Sequence, residues 1–496
     1  MGIYIKNNFI PTTKIKKEII PSGQLSISSI NTYNIYNYSK ININIADNFI
    51  DLIKGAQYGS SNYENLKTTK IAPYGFAWIS NYIKTVNIPN VEIIGKGAFA
   101  ECKSIQSINL PKCTEINEVA FYWCNSLTSV NLPTCNYIGE YAFSSCSRLT
   151  SINLSNCNYI DNNAFAYCTR LPYINLPNCS YVGNSAFYNC QSLTSINLPN
   201  CSYVCSSAFY SCKSLTSIDL PKCNYVGKGA FRYCSSLSSV NLPVCKSLNE
   251  TLIFDYCSKL TFINLEQCNY IGESCFYNLS SLISINLHNC SYIGNNAFYN
   301  CRSLASINLL NCEYIGNSAF YSCQSLTSID LPKCETIGFF GFNRCTSLTS
   351  INLPNCKLIS QAAFGYCSAL TNINLQNCEQ IWPYAFQYCI NLLSANLLKC
   401  YSISYNAFMG CSALNTIYLS DCSVGYQAFL NCYNLMSIYL YGSSIVSGLS
   451  SALGNTPMSN SRYTGQYGSI YVKASLVNAY KAQLTSYANR ITTIPE

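Results

Sequence analysis

The chain has 496 residues, of which 49% are apolar and only 10% charged, with 32 cysteines, 42 tyrosines, one histidine and a formal charge of +8. A charge of +8 spread over that length makes no basic stripe for nucleic acid, and no apolar run approaches the roughly 20 residues of a membrane-spanning helix. The length fits two to four compact domains or one elongated array.

The N-terminal stretch MGIYIKNNFIPTTKIKKEI contains no apolar core of the kind a secretory signal needs, so export by that route is not expected. A net +4 falls in the first 70 residues, mostly from Lys6, Lys14, Lys16, Lys17 and Lys40. The string NTYNIYNYSKININIADNFIDLI alternates polar and apolar residues, which suggests short strands with a helix at their end. Residues 1–65 are therefore set apart as an N-terminal cap or attachment segment, two readings of equal weight.

From Phe76 onward a period takes over. Phe recurs every 22 residues from Phe99 to Phe231, then from Phe254 to Phe408 after one step of 23, and a step of 21 reaches Phe429. Counting Phe76, seventeen rungs are expected over residues 66–441. Such a period implies a solenoid in which no unit buries its apolar side without its neighbours. In SLTSVNLPTCNYIGEYAF, Leu127, Val130, Leu132 and Cys135 fit L-x-x-L-x-L-x-x-C. Val130-Asn131-Leu132 reads as a short strand with Asn outward, and Pro133 ends it because it has no N–H for the ladder. Ile138, Ala142 and Phe143 form a second apolar cluster on the return path.

The same period sorts the cysteines. Fifteen precede the Phe by eight residues in regular rungs (Cys113, Cys135 and onward to Cys422), and fifteen follow it by three (Cys102, Cys124 and onward to Cys432). Only Cys205 and Cys275 fall outside these columns. A free cysteine is a small hydrophobe with a weak S–H donor, suited to a tight buried turn. Leu279, Ile79 and Val91 take cysteine positions, and aliphatic residues replace packing groups but not zinc ligands or half-cystines. Stacked rungs about 4.8 Å apart would permit disulfide geometry, but odd columns with aliphatic gaps argue against pairing. Zinc sites favour closely spaced, convergent ligands, whereas the spacings here are 11 and 22. No metal and no cofactor is expected.

The repeated L-x-x-I-x-L-P…I-G-x-x-A-F-x-x-C string resembles the BspA-like, or Treponema-type, leucine-rich repeats. The resemblance implies an α/β-type repeat solenoid with short parallel strands on a concave side and irregular segments outside. It also implies an adhesive or binding role and no enzymatic activity.

The search for chemistry agrees with that implication. The single histidine, His288, sits at a loop position and reads as a solvent-facing side chain. Asp219 and Asp330 replace the outward Asn of their strands but lie five rungs apart, roughly 24 Å, too far for a paired acid and base. The outward Asn column (Asn109, Asn131, Asn153 and onward) reads as a solubilising ladder, and departures from it are the candidate binding surface: Tyr173, Asp219, Phe262, Asp330, Tyr418 and Tyr439. A column of Tyr137, Tyr159, Tyr181, Tyr203 and Tyr225 offers contact area on another edge, with packing as its competing role.

Residues 442–496 close the chain. LGNTPMSNSRYTGQYGSIYVKASLVNAYKAQL resembles the closing segment of such proteins from gut bacteria and their phages, with Lys473 where a Pro is usual. GSIYV reads as a last strand, and Leu476, Tyr480, Leu484 and Tyr487 as the buried face of a helix that caps the final rung. The expected function is binding on a phage virion, as a tail or fibre component. Its partners would be a host-surface protein or glycan and, through residues 1–65, other virion proteins, with no membrane insertion. A bacterial or protist cell-surface adhesin and a cytosolic interaction scaffold are the alternatives.

Overall fold

A computed structural model describes residues 2–5, 8–11, 62–77, 83–459 and 467–495. The strands and helix expected within residues 31–53, and Ile79, lie outside the described residues. Gly2–Ile5 and Asn8–Pro11 pair antiparallel. The rest falls into two compact units, one up to Leu198 and one from Pro199.

Both units are built from the same rung. In the first unit, Ser107–Asn109 pairs in parallel with Ser129–Asn131, so Ile108 faces Val130 and Asn109 faces Asn131. A two-residue strand, Tyr137–Ile138, pairs with Tyr159–Ile160 in a second parallel ladder. The middle residue of the first strand and the second residue of the other point inward and are buried, while their neighbours face out. The period-2 alternation thus fixes register: a slip of one residue would turn every apolar side chain into solvent. Pairing begins before the expected repeat start, since Asn62–Glu64 already pairs with Thr85–Asn87.

A single residue interrupts the first ladder. The strands Asn62–Glu64, Thr85–Asn87, Ser107–Asn109, Ser129–Asn131 and Ser151–Asn153 form one sheet, and Tyr173–Asn175 starts another with Ser195–Asn197. In regular rungs the residue before the strand donates its N–H to the rung below, as Thr150 does to the Thr128 carbonyl at 2.9 Å. Pro172 occupies that place ahead of Tyr173 and has no N–H to give.

The return path around each Phe is made of turns and contains no helix. Val119, Phe121 and Trp123 donate their N–H groups to the next rung at the carbonyls of Glu140, Ala142 and Ser144 (2.7, 2.7 and 2.9 Å). Ala120, Tyr122 and Cys124 donate back within their own rung to Asn117, Val119 and Phe121. Every amide of the segment is satisfied by this alternation, which removes the need for a helix. Its cost is two residues per rung in left-handed backbone, here Val119 (φ 52°) and Trp123 (φ 60°).

The core is a stack of phenylalanines. In the first unit Phe76, Phe99, Phe121, Phe143, Phe165 and Phe187 lie 4.8–5.3 Å apart with rings within 5° of parallel. In the second, Phe209 to Phe429 continue the stack at 4.9–5.8 Å with rings within 21° of parallel. The chain thus carries the seventeen Phe rungs expected, six in one unit and eleven in the other.

The thiols flank that stack and do two different jobs. The column after the Phe joins rungs: Cys124 Sγ donates to the Phe99 carbonyl and Cys146 Sγ to that of Phe121, each at 3.1 Å. The pattern runs on through the second unit to Cys432, which donates to Phe408. The other column closes a turn within its own rung: Cys135 Sγ reaches the carbonyl of Tyr137, two residues on, at 3.3 Å. Burial pushes these thiols far from thiolate, with Cys124, Cys135 and Cys234 up to about 12. Of the 32, only Cys205 is not buried.

The end of the second unit is covered as expected, though not by one continuous helix. Ser469–Val472 pairs in parallel with Ser437–Leu440, and Ile491–Thr493 adds a further strand. Between them a 3₁₀ turn (Ala474–Leu476), a short α-helix (Val477–Gln483) and a second 3₁₀ segment (Thr485–Arg490) replace the single helix. Tyr480, Leu484 and Tyr487 are buried as their spacing requires, while Leu476 is only half-buried. The Tyr480 hydroxyl accepts the Val446 N–H at 2.9 Å and donates to the Ser444 carbonyl, locking the cap onto the preceding loop.

Candidate binding surface

The outward face of the three-residue strands is an amide carpet with a direction. In several runs an Asn donates one Nδ2–H to the Oδ1 of the Asn one rung earlier: Asn109 to Asn87 at 3.2 Å, Asn153 to Asn131 at 3.3 Å, Asn197 to Asn175 at 2.8 Å. A carboxylate can accept in this series but cannot donate. Acidic residues therefore stand at the starts of runs. Asn87 donates to Glu64 (2.6 Å), Asn241 to Asp219 (2.8 Å) and Asn352 to Asp330 (2.8 Å). Asp219 and Asp330, singled out as departures from the column, are thus accepting ends of the ladder itself.

Beside the carpet a Thr/Ser column turns its hydroxyls onto carbonyls of the rung below, as Thr128 does to Gln106 (2.8 Å) and Thr371 to Thr349 (3.2 Å). Over it lie open hollows of about 690 Å³ across the strands 85–87 to 151–153 and about 500 Å³ across 328–330 to 394–396.

The aromatic candidates fall into two sets. Tyr173 and Phe262 occupy the Ser position of their strands, opposite Ser195 and Ser239, and are 49% and 58% exposed. They belong to different units, and each stands alone. Tyr418 and Tyr439 occupy the Asn position and are stacked at 5.2 Å. Tyr471, on the final strand, stacks on Tyr439 at 4.6 Å and completes a three-ring ladder. Asn396 flanks it in register on one side and Thr492 on the other. Of the six expected residues the structure brings together only Tyr418 and Tyr439, and it adds Tyr471. The signal for Tyr471 was present in the strings TIYL, SIYL and SIYV at residues 416–419, 437–440 and 469–472. On the second ladder, Tyr137, Tyr159 and Tyr181 are half-buried and stacked at 5.6 and 4.4 Å, which is a packing role, while Tyr203 remains 48% exposed.

His288 is half-buried, and its carbonyl accepts from Asn311 Nδ2 at 2.7 Å. Among the described residues no three His, Cys, Asp or Glu side chains gather where a metal ion could sit, and no helix is long and apolar enough to cross a membrane.

The family model described as the BspA type leucine rich repeat region (6 copies) matches residues 69–194, 180–305, 291–415 and 357–474. Together these matches span residues 69–474 without a gap. No curated protein matches the chain. Among solved structures, a leucine-rich repeat protein from Bacteroides ovatus is similar at 26% identity, covering 72% of this chain and 87% of that one, with a TM-score of 0.46. A leucine rich cell surface protein from Faecalibacterium prausnitzii matches at 22% identity over 64% and 88% of the two chains, TM-score 0.34. The pneumococcal vaccine antigen PcpA matches at 14% identity over 87% and 96%, TM-score 0.31.

Proposed function

The chain belongs to the BspA-type leucine-rich repeat family, and from that premise we propose that it is a non-enzymatic binding protein of a phage virion, a tail or fibre component that contacts a host-surface protein or glycan. The observation that carries the binding reading is the Tyr418–Tyr439–Tyr471 ladder. Elsewhere the strand face is a repetitive surface of amides and hydroxyls. Here three stacked rings interrupt the amide carpet, and tyrosine supplies rigid contact area with a polar tip at little entropic cost. The part of residues 1–65 ahead of the paired strand Asn62–Glu64, with its surplus of lysine, serves as the attachment segment to the particle. This assignment extends the expected domain division, with the repeats at 66–441 and the closing segment at 442–496. Thiols that serve as buried packing groups fit a chain that matures without oxidative pairing.

The test is binding of the purified chain to a panel of gut bacterial cells and to a glycan array. Tyr418→Ala combined with Tyr439→Ala should weaken binding at least about tenfold with the melting temperature little changed. Deleting residues 1–65 should leave binding intact and abolish incorporation into particles. Wild-type binding by the tyrosine variant sinks the surface assignment, and particle incorporation by the truncated chain sinks the attachment role.

A further inference from the structure

On the turn face of the second unit, two large aromatic residues flank a small one in three consecutive rungs, and an open hollow lies over them. In the column two residues before the ladder Phe, most rungs carry a small or polar residue in left-handed backbone, such as Asn163, Ser185, Ser207, Asn296, Ser318 and Asn406. These types adopt that conformation with least strain. At residues 340, 362 and 384 the same column reads Phe, Ala, Tyr, with φ of 55°, 51° and 60°. The Phe340 N–H donates to the Gln361 carbonyl and the Ala362 N–H to that of Pro383, so the three positions are stacked in register. A small residue between two large aromatic ones leaves a slot. Beside Ala362, the buried Asn343 amide fills the space next to Gly365 and donates to the Ala362 carbonyl at 3.0 Å. A Cβ on Gly365 would lie 2.5 Å from Asn343 Nδ2.

Over them lies an open hollow of about 250 Å³ lined by Phe340, Ala362 and Tyr384 together with Arg344, Gln361 and Gln387. No carboxylate lines it. Arg344 rests on the Tyr366 ring at 5.5 Å and makes no ion pair among the described residues. Phe340 is 39% exposed, so packing of the core does not account for an aromatic residue at this place.

We propose that this slot binds one carboxylated sugar residue, the pyranose ring seated between Phe340 and Tyr384 and the carboxylate on Arg344. The volume falls below the roughly 300–1,000 Å³ of pockets for drug-sized ligands and suits a single ring. Aromatic walls take the apolar face of a sugar, and the two glutamine amides can both donate to and accept from its hydroxyls. The unpaired guanidinium selects an acid over a neutral sugar, since its planar fork matches a carboxylate. This site lies away from the tyrosine ladder and stands or falls independently of it.

The test uses the full chain and ligand-observed NMR titration with three probes: methyl glucuronide, methyl N-acetylneuraminate and the neutral methyl glucoside. At least one acidic sugar should bind ten times more tightly or better than the glucoside. Phe340→Asn with Tyr384→Asn installs the residue that other rungs carry in this column, so the fold should be kept or stabilised while binding falls at least tenfold. Arg344→Gln should erase the preference for the acid and leave weak, equal binding of all three. Binding of neither acidic sugar, equal affinity for acid and glucoside in the wild type, or full binding by either variant overturns the proposal.

Discussion

Phe298→Ala should destabilise the second unit by about 3–5 kcal/mol, and it should do so locally. Phe298 is fully buried and stacked between Phe276 at 4.9 Å and Phe320 at 5.2 Å. Removing the ring opens a cavity that two neighbouring rungs share, while the backbone around it stays tied by the Cys301 N–H and the Cys323 thiol, both on the Phe298 carbonyl. The Asn-ladder and Phe-stack contacts run between adjacent rungs, so the loss should propagate only weakly along the stack. Hydrogen exchange should therefore rise in peptides covering residues 262–342 and stay close to wild type at 416–440. A uniform rise across the unit would show that its rungs unfold as one block.

Arg232→Ala should cost a similar amount at neutral pH for an electrostatic reason. Asp255 follows Phe254 where the period slips by one residue, and its side chain is 1% exposed. One carboxylate oxygen, Oδ2, accepts from Arg232 Nε at 2.7 Å, and Oδ1 has no partner. Burial raises its pKa above the ordinary value, while the Arg232 charge and hydrogen bond pull it down. Without Arg232 only the Tyr256 backbone N–H opposes the effect of burial, the pKa climbs further, and a stranded buried carboxylate costs about 3–5 kcal/mol. The sign of the pH dependence follows. A carboxyl whose folded pKa lies above its unfolded value, about 3.9, favours the folded state most when protonated. The variant should thus be least impaired near pH 4 and lose stability relative to wild type as pH rises through the folded pKa. Urea midpoints at pH 4 and pH 7 measure this directly, and an equal deficit at both values would contradict it.

What the sequence disclosed follows from what repeats. Phe121, Cys124 and Cys135 recur at fixed spacing because each fills the same buried site in every rung, and a site that depends only on the next rung leaves a period in the chain. The pairing partner of a surface residue is legible on the same terms, which is why Tyr418 and Tyr439 could be placed together. Tyr471 repeats their local string, SIYV after TIYL and SIYL, but the non-repeating residues 442–468 hide that it rejoins their column. The part played by Asp219 and Asp330 depends on which way the Asn amides donate, a property of the folded ladder. The slot at Ala362 was hidden for a related reason: its small and large residues matter only once the left-handed column is known to project outward. At the C-terminal end the spacing of Tyr480, Leu484 and Tyr487 correctly marked the buried face. It could not show that Leu484, with φ −100° and ψ 53°, breaks the helix.

The 32 cysteines are expected to build the solenoid as reduced, hydrogen-bonding core groups. Alkylation followed by intact-mass analysis tests it. A thiol held at about 12, as for Cys124, has on the order of 3,000-fold less thiolate than a free cysteine near 8.5, in addition to being shielded from reagent. Native protein at pH 8 should therefore take up label at few positions, Cys205 first, and protein unfolded in denaturant without reductant should carry 32 labels. Fewer labels by an even number after unfolding would reveal disulfides, and rapid native labelling of Cys124 or Cys135 would show that the columns are not buried; either result contradicts the claim.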